Sequence, residues 1–157
     1  LYFYPMQKLN LPSFQFKLKS SENKQLIFDV IRKKYVVLTP EEWVRQNLIH
    51  FLIKEKNYPI SLISCEKQLL VNKLKKRFDL LIYGPNGTPI LIIECKSPKV
   101  KISQDTFDQI ARYNMELKSE FLVVSNGIIH YSCKVNHEDQ SYIFLEEIPK
   151  YEDIYRN

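Results

Sequence analysis

Glycine is scarce in this chain, with three in 157 residues. No stretch matches the phosphate-cradling GxxxxGK[ST] loop, so nothing here signals nucleotide-driven work. The cysteines, Cys65, Cys95 and Cys133, are odd in number and show no CxxC spacing. They signal neither a disulfide framework nor a zinc site, and they suit a reducing, cytoplasmic setting. No apolar run approaches the roughly 18 residues of a membrane span. A secretory signal with an apolar core is also lacking. Leu1 stands where an initiator Met would, as in a fragment or a chain carrying a remnant. There is no internal repeat and no low-complexity tract.

What is present is ordinary for one globular domain. Hydrophobic residues make up 45% and charged residues 26%, enough for a packed core. The net charge of +5 favours a polyanionic partner. Its distribution says more than its size. Lys73, Lys75, Lys76 and Arg77 form one basic cluster, and Lys96, Lys99 and Lys101 form another. Two solvated loops would look the same.

Residues 1–38 read as an N-terminal arm with a possible strand pair turning near residues 32–34. Aromatic residues are scattered through it, among them Tyr2, Phe3, Tyr4, Phe14 and Phe16. Residues 39–157 read as the main domain. Thr39, Pro40 and Glu42 make a helix start, with Glu42 closing a capping box. The helix is predicted to reach about residue 55, with an apolar stripe of Val44, Leu48, Phe51 and Leu52. On that wheel Glu41 points inward and Glu42 lies to the side. Strands are expected over residues 60–71, 77–83 and 89–96, a helix over 103–118, and strands over 121–125, 128–133 and 142–145. The order is helix, three-strand meander, helix, strand. It predicts an α/β (α+β) fold, a mixed central sheet flanked by helices with one right-handed βαβ unit.

Asn86-Gly87 between two apolar runs is a strong hairpin signal. A two-residue loop there sets Tyr83 opposite Ile90, Leu81 opposite Ile92, Asp79 opposite Glu94 and Arg77 opposite Lys96. Directly opposed side chains share a face with Cβ atoms about 5 Å apart. Glu94 and Lys96 alternate with Cys95 and so share that face too. Two carboxylates opposed among apolar residues repel, and a cation between them relieves the cost. Mg²⁺ is suited, because it takes carboxylate oxygens and keeps waters for chemistry. A buried Asp–Lys or Glu–Arg ion pair that only settles the sheet is the competing reading. On the following helix Gln109 and Tyr113 are four apart and stack on one face, bordering Phe107, Ile110 and Leu117.

Asp79, the hairpin and Glu94-Cys95-Lys96 together resemble the PD-(D/E)XK nuclease signature. Gln109 to Tyr113 resembles the QxxxY motif of its RecB-like branch. The whole ordered series over about residues 39–133 is similar to the N-terminal nuclease domain of type I restriction enzyme R subunits. That resemblance implies a restriction-endonuclease-like fold and Mg²⁺-dependent hydrolysis of DNA phosphodiesters, with Mn²⁺ as a substitute. It implies Asp79, Glu94 and the helix-borne Glu41 as metal ligands, Lys96 as catalytic lysine, and Gln109 and Tyr113 as supports. Glu66 matches a further family position. Lys75, Lys76, Arg77, Lys99 and Lys101 are expected to hold phosphates, with little sequence reading. A homodimer or a targeting protein partner is also compatible. A full R subunit carries an ATP-driven motor, which this sequence lacks. A silent nuclease-fold binding module and a structure-selective junction nuclease stay open as alternatives.

Overall fold

Leu80-Leu81-Ile82, Leu91-Ile92-Ile93 and Leu122-Val123-Val124 are buried at every position. Strands that are apolar on both faces need cover on both faces, and this requirement organises the fold. The computed structural model describes residues 6–155, so Tyr2, Phe3 and Tyr4 lie outside the described residues.

A three-stranded antiparallel sheet comes first, made of β1 (Leu18–Ser21), β2 (Lys24–Asp29) and β3 (Lys34–Val37). The sequence predicts a strand pair turning near residues 32–34 and an extended arm with one possible strand ahead of it; β1 is that strand and makes the sheet a meander. Glu22 and Asn23 turn β1 into β2 with φ of 50° and 64° and no glycine, so the usual hairpin signal is missing. Helix α1 (Pro40–Glu55) follows. A 3₁₀ turn, Ile60–Leu62, takes the start of the expected next strand. The six-stranded sheet then runs β4 (Ile63–Val71), β5 (Leu74–Tyr83), β6 (Pro89–Cys95), β7 (Phe121–Ser125), β8 (His130–Asn136) and β9 (Ser141–Leu145), in that spatial order. Helix α2 (Gln104–Leu117) joins β6 to β7, the one parallel pair among the described strands. A short α3 (Tyr151–Ile154) closes the described chain and was not anticipated. Among the described residues no helix is long and apolar enough to cross a membrane.

Helix α1 covers one face of the large sheet, with Val44, Leu48, Ile49 and Leu52 packed on Ile63, Leu80, Ile82, Leu91, Ile93 and Val123. Helix α2 covers the other, with Phe107 and Ala111 on Phe78, Leu81, Ile92, Leu122 and Val124. Helix α1 also buries Glu42, Arg45, Gln46, Asn47 and His50. Its polar side is buried because the N-terminal segment lies over it. Phe16 stacks near Trp43 and His50 at 5.1 and 4.7 Å. The Trp43 indole donates to the Gln7 carbonyl, and the Asn10 N–H donates to the Gly127 carbonyl.

A side chain in place of Gly127 would be disfavoured on two counts. Its φ is +86°, and a Cβ would come within 2.7 Å of Leu9 Cδ2. The turn it occupies is clamped by Asn126, whose Oδ1 accepts from the Ile128 and Ile129 N–H groups and whose Nδ2 donates to the Val100 carbonyl. This ties the β7–β8 turn to the loop that follows β6.

Candidate active site

Asp79 sits where β5 stops pairing with β6. The β5–β6 register ends at Leu80↔Ile93. At the next rung the Asp79 carboxylate replaces the backbone, and its Oδ2 accepts the Cys95 N–H at 2.8 Å. On the opposite edge of β5 the ladder skips the Glu66 rung, and Glu66 has a φ of +56°. That conformation costs a branched-free side chain roughly 1–2 kcal/mol. Here it accompanies a contact of 2.5 Å between Glu66 Oε1 and Arg45 Nη2.

The hairpin turn itself differs from the expected two-residue loop. The Gly84 N–H donates to the Thr88 carbonyl, Gly87 takes a φ of +83°, and Tyr83 faces Pro89. A bulge next to Tyr83 then shifts the register so that Leu81 faces Ile92. The expected Tyr83–Ile90 pair is therefore wrong, while the expected Leu81–Ile92 pair is present. The longer loop and the bulge offset each other, and Asp79 still meets Glu94.

Arg45 is the hub. Its side chain is 7% exposed, and Nη2 lies 2.8 Å from Asp79 Oδ1 while Nη1 lies 2.8 Å from Glu42 Oε1. Glu41 Oε1 is 3.5 Å from the same Nη2. Burial opposes the guanidinium charge, but the surrounding carboxylates outweigh it and hold Arg45 firmly protonated. The same Glu42 oxygen also accepts from Arg32 at 2.9 Å. Arg32 in turn pairs with the fully buried Asp29 at 2.6 Å, which also accepts from Gln46. Burial pushes Asp29 upward, yet the Arg32 and Gln46 hydrogen bonds bring it below the usual carboxylate range.

This arrangement corrects the helix wheel. Glu42 is the buried acid and Glu41 the half-exposed one. Thr39 does cap the helix by accepting the Glu42 N–H at 3.0 Å. The Glu42 side chain does not return to close the box, because Arg32, Arg45 and Gln46 engage it. Glu41 borders the site. Burial, then the Asp79 charge, raise its pKa, and the Arg45 and Lys96 charges lower it.

Glu94 lies beside Asp79. Burial and the Asp79 charge raise its pKa from 4.5 to about 8, and a hydrogen bond to Asp79 adds to this, against Lys76 and Lys96. The neutral form of Glu94 is therefore favoured beside the Asp79 carboxylate. Lys96 is half-buried next to them, makes no direct ion pair among the described residues, and donates its backbone N–H to Ser125. Lys76 was expected to face DNA phosphates. Instead it reaches the α2 side, where Nζ sits 3.3 Å from the Tyr113 ring centroid and lines a crevice with Glu94. Burial lowers its pKa, against the pull of Glu94. Gln109 is exposed and makes no side-chain hydrogen bond among the described residues. Lys73, Lys75, Arg77, Lys99 and Lys101 are exposed, and Arg77 lies 3.6 Å from Glu66.

The raised Glu94 pKa has a consequence for stability. A carboxyl whose folded pKa exceeds its unfolded value contributes fully below the unfolded value and loses that contribution as pH rises through the folded one. Metal-free protein is thus expected to lose stability between about pH 4.5 and pH 8. Glu94→Gln should flatten that slope. Urea midpoints measured across this range, with wild type and variant showing the same slope, would contradict the raised Glu94 pKa.

Sequence reasoning missed the central place of Arg45, the Asp29–Arg32–Glu42 link and the inward turn of Lys76. The spacing of Arg45 three and four residues after two glutamates was the available signal. Among the described residues no group of three His, Cys, Asp or Glu side chains stands at metal-binding spacing. The sequence model of the type I restriction enzyme R protein N terminus matches residues 40–149. No curated protein shows significant similarity to the chain.

Proposed function

Because the chain belongs to the family of type I restriction enzyme R protein N-terminal domains, we propose that it is a Mg²⁺-dependent nuclease domain that hydrolyses DNA phosphodiesters. The observation that carries this reading is the placement of Glu94 beside an Asp79 carboxylate that the Cys95 N–H and Arg45 hold in position. Such a pair is an oxygen-rich place where added positive charge is favourable. Its donor chemistry fits Mg²⁺, which needs only one or two carboxylates when water and phosphate oxygens complete its shell. Mn²⁺ would serve as well.

Asp79 and Glu94 would hold the ion, with Glu41 at the rim. When bound, Mg²⁺ supplies polarisation of a phosphate oxygen and neutralises the charge that develops there. The chain's own groups do the rest. The Cys95 N–H and Arg45 fix the Asp79 carboxylate in place. Glu94 would hold the ion as a carboxylate, with its proton released to solvent. Lys96 positions the attacking water and stabilises charge at the reacting phosphate. Tyr113 and Lys76 flank Glu94. Lys75, Arg77, Lys99 and Lys101 hold the backbone of the DNA.

Plasmid, linear and branched DNA incubated with Mg²⁺ or Mn²⁺, against EDTA, test the proposal. Cutting only with metal supports it. One observation favours a rival, a nuclease-fold module that binds DNA without cutting: Arg45 already neutralises Asp79 Oδ1. Binding with no cutting of any substrate would favour that rival. A preference for branched DNA alone would favour a junction nuclease.

Binding is expected to weaken steeply with salt and to vary little with sequence, because exposed lysines meet phosphates. Titrations of two unrelated duplexes across a salt series measure this. A flat response, or a strong preference for one short sequence, would contradict it.

A further inference from the structure

The β1–β3 sheet precedes the family-matched residues and takes no part in the chemistry above. Its two faces differ. Ile27 and Asp29 point inward and are fully buried. The alternate residues point outward. Phe28 and Tyr35 are direct cross-strand partners on that outer face, with rings 5.2 Å apart in an edge-on arrangement. Both are only partly buried. Lys17 lies beside Phe28, which donates its backbone N–H to the Lys17 carbonyl, and its Nζ is 5.5 Å from the Phe28 ring. Lys19 Nζ is 4.0 Å from the Tyr35 ring. Lys24, Lys33 and Lys34 are exposed at the two turns of the same sheet, against one exposed acid, Glu22.

We propose that this outer face is a second nucleic-acid site, a stacking platform for single-stranded DNA. Aromatic rings set among lysines are what a single strand needs, because every base has a face to stack and every linkage a charge to meet. The two ammonium groups now rest on the rings. Phosphates would draw them aside and leave the rings to the bases. Asp29 and Arg32, at the end of β2 and just beyond it, are joined through Glu42 to Arg45 and Asp79. The sheet is therefore anchored to the candidate site through its inner face, and its outer face points away from α1. The link to catalysis rests on the nuclease reading, whereas the platform itself does not.

The test is fluorescence anisotropy of a labelled oligothymidylate and of a duplex, in EDTA so that no cutting intervenes. Lys17→Glu with Lys19→Glu should weaken single-strand binding at least about tenfold and reduce its salt slope by about 1.4. These lysines are exposed, so folding should persist. Tyr35→Leu keeps an apolar side chain and removes the ring. It should weaken the oligothymidylate at least about fivefold and leave the duplex unchanged. Unchanged single-strand affinity in the lysine variant would overturn the platform, and so would equal losses for strand and duplex with no effect of Tyr35→Leu. Metal-dependent cutting by wild type, assayed alongside, reports on the nuclease reading independently.

Discussion

Lys96→Ala and Glu94→Ala are each expected to cut DNA at least about a hundredfold more slowly than wild type, with the fold intact. The removal of one preorganised electrostatic group at a reacting centre typically costs 10²–10³ in rate. Asp79→Ala should be as damaging to activity, for it removes a proposed ligand. It should also disturb the fold more, because Asp79 carries the Cys95 N–H and half of the Arg45 pairing. Lys96 is the cleanest test. It makes no ion pair among the described residues, so its loss should leave the melting temperature nearly unchanged. Nicking of supercoiled plasmid with Mg²⁺, followed over time, measures the effect. Wild-type rates from Lys96→Ala would remove the lysine from the mechanism.

The second large effect concerns stability. Arg45→Met is expected to destabilise the protein by about 3–5 kcal/mol, because one cation now serves carboxylates of Glu42, Glu66 and Asp79. A cap alone would be worth about 1 kcal/mol, and Glu42 does more than cap. Glu42→Ala leaves Arg32 and Arg45 without a shared partner in a buried place, so a similar loss follows. Glu41→Ala should cost far less stability, since its side chain is 48% exposed, and should act mainly on cleavage. At about 2–4 °C per kcal/mol for a chain of this size, the Arg45 and Glu42 variants should melt about 6–20 °C lower. Thermal melts of the three variants measure the ranking. A Glu42→Ala protein as stable as Glu41→Ala would show that the buried network carries no weight.

Much of this was legible beforehand, and the reasons for the remainder are physical. The strand–helix–strand order followed from periodicity. The type I restriction resemblance identified the family. The meeting of Asp79 with Glu94 was read from a two-residue loop that does not exist. A bulge beside Tyr83 and a longer turn restored the pairing, and neither leaves a mark in a hydrophobic pattern. Lys76 escaped because strict alternation does not hold along β5. Phe78 packs on the α2 side although Leu80, two residues on, packs on the α1 side. Glu42 escaped because a helix wheel assumes one wet face. Here the N-terminal segment covers that face and turns a surface glutamate into a buried one. The turns at Glu22-Asn23 and Asn72-Lys73 use left-handed residues other than glycine, so no glycine marks them.

The seating of the N-terminal segment matters to anyone trimming the chain. A fragment beginning at Pro40, where the family match starts, looks like the natural unit to express. It would lack Leu9, which fills the space against Gly127 and Val44. It would also lack Asp29 and Arg32, which Gln46 and Glu42 need as partners. Helix α1 would then present a wet, charged flank and a hole beside the β7–β8 turn, and the trimmed protein should be prone to aggregate. The smallest well-behaved piece begins ahead of Leu9, and its boundary is drawn by packing rather than by family likeness.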